Sequence, residues 1–261
     1  MTASALLEAR GLDVAIAGNC LVRGLDLKLA AGEMLAVLGR NGAGKTTLLN
    51  TLAGLYPPAA GNITLCGKPY SGEGRHSARD CARLRGLLAQ MQNDAFPASV
   101  LETALIGRHP HLGRWAWEGD EDLAIARAAL AAVGLSGLEK RELHSLSGGE
   151  RQRLAIATLL TQQPALYLLD EPLAHLDLAH QIAMLELWRR RAAEHQASFI
   201  IVLHDANLAL RYCQRSLLLF GAGRWREGAS TDVLDLTQLT ELYGYPLQQI
   251  DAAGARYFLP A

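Results

Sequence analysis

Aromatic residues are scarce in this 261-residue chain, at 6%, and there are four cysteines: Cys20, Cys66, Cys81 and Cys213. The cysteines are scattered and form no Cys-x-x-Cys pair, which speaks against a zinc site or a disulfide framework and for reduced, buried thiols. There is no run of about 18 apolar residues, so no segment is expected to span a membrane. The first residues, MTASALLEARGLDV, lack a basic stretch followed by an apolar one and do not read as a signal peptide. Neither sign of charge is in excess. Lys and Arg number 25 against 26 Asp and Glu, so nothing favours nucleic acid or an anionic membrane surface as a partner. These absences together predict a soluble cytoplasmic protein with no nucleic-acid partner, and the sequence shows no internal repeat or low-complexity tail.

Short, uninterrupted apolar runs are present instead: MLAVLG (34–39), ALYLLD (165–170), FIIVLH (199–204) and SLLLF (216–220). Such runs are how strands buried on both faces of a parallel sheet look. Helical patterns lie between them at 44–54, 178–196 and 206–213, so the chain reads as α/β with a mainly parallel sheet. The N-terminal segments ALLEARGLDVAIA and GNITLCG alternate in polarity and predict an antiparallel edge. From about 87 to 163 the texture becomes helical. An alanine-rich helix at 121–134 has Asp120 as its expected N-cap and Gly134 as its C′ residue. We therefore expect one domain, with a core from 1–86 and 164–261 and an inserted helical subdomain at about 87–163.

The segment Gly39-Arg40-Asn41-Gly42-Ala43-Gly44-Lys45-Thr46 matches G-x-x-x-x-G-K-[ST]. Its glycines let backbone N–H groups turn toward phosphate oxygens, while Lys45 supplies a compact cation for the β- and γ-phosphates. The Thr46 hydroxyl is placed for Mg²⁺, and the helix that runs on through Thr47 directs its positive end at the same phosphates. A buried-type strand before the loop and a helix after it make a chance glycine-rich turn a poor alternative. The run ALYLLDEP ends in Asp170 and Glu171, two neighbours that point opposite ways on a strand and so suit different tasks. Asp170 suits a Mg²⁺-associated role, and Glu171 can orient or deprotonate a water. Pro172 is expected to stop the strand. His204 ends the third run and is open to either a structural role or contact with a γ-phosphate.

The stretch HSLSGGERQRLAIATLL (144–160) opens a helix with the capping-box pair Ser147 and Glu150. It also carries Gly148 and Gly149 in the first turn, each about 1 kcal/mol worse than alanine in a helix. Capping does not explain them.

With these residues assembled, the chain resembles the ATPase subunit of an ABC transporter over nearly its whole length. GRNGAGKT resembles that family's Walker A, ALYLLDEP its Walker B and LSGGERQR its signature motif. AHLD resembles the D-loop with Asp177 as its aspartate, a residue that can equally be the N-cap of the next helix. His204 stands at the switch histidine, and Gln90 at the Q-loop glutamine with Gln92 as the alternative. The resemblance implies a P-loop NTPase fold and a head-to-tail homodimer sandwiching two ATPs, each between Walker A of one subunit and Ser147, Gly148 and Gly149 of the other. It implies Glu171 as catalytic base, His204 as γ-phosphate sensor, Gln90 as a link between Mg²⁺, water and the membrane partner, and ATP with Mg²⁺ as cofactors. The family's adenine-stacking aromatic is missing, and Ile16 stands in its place.

GRHPHLG (107–113), HLDLAHQ (175–181), HDANLALRYC (204–213) and LTELYGYP (239–246) resemble the importers of metal chelates: ferric siderophores, haem or vitamin B12. That branch implies separate transmembrane permease subunits, a periplasmic or lipoprotein binding protein, and peripheral attachment to the inner face of the membrane. His109 and His111 read as a surface loop rather than a metal site, since no carboxylate or cysteine completes a ligand set. Trp115 and Trp117 suit either packing on the partner or covering the helical segment, and Arg189–Arg191 a solvated helix face. The alternatives are a soluble ABC ATPase uncoupled from transport, the ATPase of another importer or exporter, and a small-molecule kinase. A kinase would have no use for LSGGERQR.

Overall fold

The structure is a computed structural model that describes residues 5–90, 97–113, 115–252 and 254–261; Gln92 lies outside them. The chain begins with β1 (Leu7–Ile16), β2 (Asn19–Leu29) and β3 (Met34–Gly39), followed by α1 (Lys45–Leu52), β4 (Ala60–Leu65), β5 (Lys68–Pro69), α2 (Ala78–Leu84) and β6 (Arg85–Leu88). Helices α3 (Val100–Leu105), α4 (Asp120–Ala132) and α5 (Gly148–Gln162) come next. The core resumes with β7 (Leu166–Leu169), α6 (Leu178–His195), β8 (Ser198–Val202), α7 (Ala206–Tyr212), β9 (Arg215–Gly221) and β10 (Arg224–Ala229). Short α8 (Ser230–Val233), α9 (Leu236–Tyr243) and the hairpin of β11 (Leu247–Ala252) and β12 (Ala255–Pro260) close the chain.

The main sheet runs β10-β9-β3-β8-β7-β6, parallel from β9 to β6 with β10 antiparallel at one edge. Its apolar runs are continuous because both faces are buried. Met34, Ala36 and Leu38 enter the core on the helical side with Tyr167, Leu169, Phe199 and Ile201. Leu35 and Val37 enter the opposite core with Leu166, Leu168, Ile200 and Val202. That second core is closed by α1 and by the alternating N-terminal strands. These form a sheet of their own, β2-β1-β4-β5, bridged to the main one at Val22 and Gly223.

Several local expectations are revised. Gly119, not Asp120, is the N-cap of α4, and Asp120 is its first helical residue; the Asp122 carboxylate closes the turn on the Gly119 N–H at 3.1 Å. Gly134 does follow α4 in the left-handed region at φ 72. Cys81 and Cys213 are buried, but Cys66 is exposed and Cys20 half-buried. Arg189 and Arg190 face solvent, whereas Arg191 is half-buried with the Tyr167 hydroxyl as a partner. Trp115 and Trp117 are 88% and 89% exposed, so they do not cover the helices.

The parallel order positions the site. Strands β3, β6, β7 and β8 end on the same edge, so the loops after them, carrying Gly39–Thr46, Gln90, Asp170–Glu171 and His204, converge there.

Candidate active site

The converging loops enclose a cavity of about 600 Å³ lined by Ile16, Leu21, Asn41, Gly42, Gly44, Lys45, Thr46, Thr47, Gln90, Glu171 and His204. Gly42 and Gly44 have φ of 81 and 96, the left-handed region that L side chains rarely adopt. Gly39 is required differently: a Cβ there would stand 2.8 Å from the Leu219 carbonyl of β9. Ala43 is buried beneath the loop, its N–H bonded to the Arg40 carbonyl at 3.1 Å. Helix α1 has no side-chain cap and no acidic residue in its first turn. Its first N–H groups and its positive end are therefore available to an anion. The Lys45 ammonium donates to the carbonyls of Gly39 at 2.9 Å and Arg40 at 3.2 Å. Desolvation lowers its pKa, an effect opposed by the negative charges of Glu171 and Asp170.

Opposite the loop, the Glu171 carboxylate is held from two sides. Gln90 Nε2 donates to Oε2 at 3.1 Å, and His204 Nε2 lies 2.8 Å from Oε1. β7 has already ended at Leu169, before Pro172, so Asp170 and Glu171 do not diverge by strand alternation as the sequence pattern suggested. The divergence comes from the backbone of Glu171, which turns left-handed at φ 48 and swings its side chain into the cavity. Asp170 stays behind, 2% exposed, its N–H continuing the sheet to the Leu88 carbonyl. Desolvation raises the Asp170 pKa and the Glu171 charge adds to this, while Thr46, as a hydrogen-bond partner, opposes it.

Asp170 Oδ1 is buried without a hydrogen-bond partner. A buried carboxylate oxygen left open beside a threonine hydroxyl, with the Gln90 amide on the cavity wall, is a set of hard oxygen donors that fits Mg²⁺. Among the described residues there is no group of three or more His, Cys, Asp or Glu side chains that could hold a metal ion. The His111 ring is bonded to the Gln162 carbonyl at 2.9 Å.

Ser147, Gly148, Gly149 and Asp177 do not line this cavity. Ser147 caps α5 and exchanges hydrogen bonds with Glu150, while Asp177 caps α6 through the His180 N–H at 2.8 Å. Ile16 is 53% exposed at the cavity mouth, and Leu21 reaches the same wall. Leu21 was missed because nothing local marks it. Its side chain lies 2.8 Å from where a Cβ of Gly44 would stand, a contact that only the folded β2 provides.

Residues 22–174 match the ABC transporter family. The chain belongs to that family. As an ABC ATPase it couples ATP hydrolysis to transport. It is 39% identical to a hemin import ATP-binding protein of Burkholderia pseudomallei (strain 1710b), over 95% of this chain and 96% of that one. A hemin import ATP-binding protein of Gloeobacter violaceus is 42% identical over 82% of this chain and 78% of its own. Among solved structures, an inward-facing metal-chelate type ABC transporter superposes with a TM-score of 0.84 at 30% identity, covering 98% of both chains. The cbiO1 protein of Clostridium perfringens, part of an ABC transporter complex, gives 0.75 at 27% identity over 90% of this ATPase and 93% of its own chain. Among the described residues, no helix of the ATPase is long and apolar enough to cross a membrane.

Proposed function

We propose that this ABC ATPase drives haem import and that its hydrolytic centre is Glu171, steered by Gln90 and His204. The observation that carries the catalytic assignment is the doubly held Glu171 carboxylate, facing the phosphate loop across one cavity. Glu171 orients a water and takes its proton. His204, placed beside it, contacts the γ-phosphate. Lys45 and the uncapped N–H groups of α1 bind the β- and γ-phosphates, with Gly39, Arg40, Asn41, Gly42, Ala43, Gly44 and Thr47 shaping the loop. Thr46, Asp170 and Gln90 hold Mg²⁺, which, when bound, neutralises phosphate charge. Ile16 and Leu21 give the adenine an aliphatic wall in place of a stacking ring.

The signature residues complete a site on a second copy. Ser147, Gly148, Gly149 and Asp177 of one subunit face the ATP held by the other, which is why they stand away from their own cavity. The homodimer engages two permease subunits and, through them, a substrate-binding protein outside the membrane, and so sits on the cytoplasmic face.

For the cargo, likeness to hemin import proteins over nearly the full chain favours haem over siderophores or cobalamin. Cells whose only copy of this ATPase carries Glu171→Gln should lose uptake of labelled hemin and keep uptake of labelled cobalamin and ferric siderophore. Intact hemin uptake in those cells, with another chelate's uptake lost, overturns the haem assignment.

A further inference from the structure

His204 sits in a one-residue gap between two hydrogen-bonded frameworks. On one side, the Leu203 N–H still belongs to the sheet, donating to the Val37 carbonyl at 3.1 Å. On the other, Asp205 already belongs to α7: its carbonyl accepts the Ala209 N–H, and its carboxylate caps the N–H groups of Asn207 and Leu208. The His204 carbonyl is bonded from elsewhere, by the Tyr243 hydroxyl at 2.9 Å. Burial pushes the phenol up to about 12, which keeps it a donor at any physiological pH.

Tyr243 is itself anchored. Helix α9 is capped by Asp235 and pinned by the fully buried Leu239 and Leu242, and it ends on Gly244 in the left-handed region at φ 67. A Cβ on Gly244 would stand 3.2 Å from Arg40 Nη1, so the same helix end lies against the phosphate loop. The turn is gripped a second time by β12: Asn207 exchanges hydrogen bonds with the Phe258 backbone at 2.8 and 3.1 Å.

We infer that Tyr243 is a positioning residue for His204, fixing the backbone from which the imidazole reaches Glu171 and the γ-phosphate. This rests on the reading of His204 as the γ-phosphate contact. The C-terminal segment thereby sets how sharply the site distinguishes ATP from ADP, since only ATP carries the group His204 meets.

The test uses the whole 261-residue chain with Glu171→Gln to prevent turnover, and measures Mg-ATP and Mg-ADP binding by calorimetry. Tyr243→Phe, which removes only the hydroxyl, should weaken ATP binding by about three- to tenfold, the scale of one lost hydrogen bond, and leave ADP binding unchanged. His204→Ala should do the same more strongly, and the double variant should match His204→Ala alone. Asn207→Ala, which unties the turn from β12, should shift ATP binding in the same direction. If His204→Ala lowers ATP binding selectively while Tyr243→Phe does not, the inference falls and the reading of His204 stands. If His204→Ala leaves ATP and ADP equally bound, both fall. Equal weakening of ATP and ADP by Tyr243→Phe, or a further loss in the double variant, assigns Tyr243 a general structural role and overturns the inference.

Discussion

Helix α1 and helix α5 both begin at glycines, and they are finished in opposite ways. α1 starts behind Gly44, left-handed at φ 96, with no side-chain cap and no acid in its first turn. α5 starts behind Ser147, whose hydroxyl takes the Glu150 N–H while the Glu150 carboxylate takes the Ser147 N–H; Arg141 then braces that carboxylate at 3.0 Å. An uncapped start suits a helix whose anion is held in its own chain, because the ligand satisfies the open N–H groups. A capped start suits a surface that must keep its shape until another molecule supplies the anion. The two glycines of α5 separate on the same logic. A Cβ on Gly149 would come within 3.1 Å of the His175 carbonyl, a crowded contact inside the chain, whereas one on Gly148 would meet nothing closer than 4.0 Å. Gly148 alone is left as bare backbone without an internal reason.

The largest effect expected from breaking this arrangement is on turnover. Glu171→Gln keeps the size of the side chain and one acceptor oxygen but not its basicity, and should slow ATP hydrolysis by about 10²- to 10⁴-fold while ATP still binds. Steady-state phosphate release with a parallel binding titration checks both halves, and near wild-type release removes Glu171 as the base. Next comes the pairing of the two helix starts. Lys45→Ala and Gly148→Ala subunits, each alone, should fail to dimerise with ATP. Mixed, they form one intact composite site and should recover a dimer by light scattering; no recovery rules out a site shared between copies.

Stability distinguishes the two glycines with a smaller effect. Gly149→Ala should be less stable to unfolding than Gly148→Ala, by about 1 kcal/mol, because its Cβ crowds the His175 carbonyl, while Gly148→Ala should be neutral or slightly stabilising in the isolated chain. Denaturant titration of the two variants decides it, and an equal loss in both breaks the distinction. The smallest effect concerns Asp170, whose folded pKa is raised chiefly by desolvation. A raised carboxyl binds protons more tightly folded than unfolded, so as pH climbs from the ordinary 3.8 through the raised folded value, stability falls. Asp170→Asn removes that penalty. It should melt higher than the wild type at neutral pH, with the difference shrinking as pH falls toward 4, and should lose Mg-dependent hydrolysis. A difference that grows on acidification contradicts the raised value.

The main sheet and the loops at its edge were legible because each rests on local signals. A doubly buried strand shows as an unbroken apolar run, and Gly42, Gly44, Lys45 and Thr46 mark their loop by spacing alone. The caps at Ser147 and Asp177 were readable for the same reason. Asp120 was misplaced by one position, since Gly119 can cap with its backbone when Asp122 reaches back to it. The left-handed Glu171, the Leu21 wall and the Tyr243 bond to His204 were not legible. Each depends on segments far apart in sequence meeting in space, and no residue pattern along the chain records that meeting.

The strand order has a further consequence, for the sequence of events in synthesis. β3, which carries the phosphate loop, lies between β8 and β9, pairing Met34 with Phe199 and Leu35 with Arg215. Its neighbours are therefore the last strands of the sheet to leave the ribosome before β10. Local helices such as α4 and α5 can form early, but the nucleotide loop has no platform until β8 and β9 have emerged, and such long-range pairing is slow. A nascent chain that has not yet extended past β9 thus holds the complete phosphate-loop sequence without a functioning phosphate site.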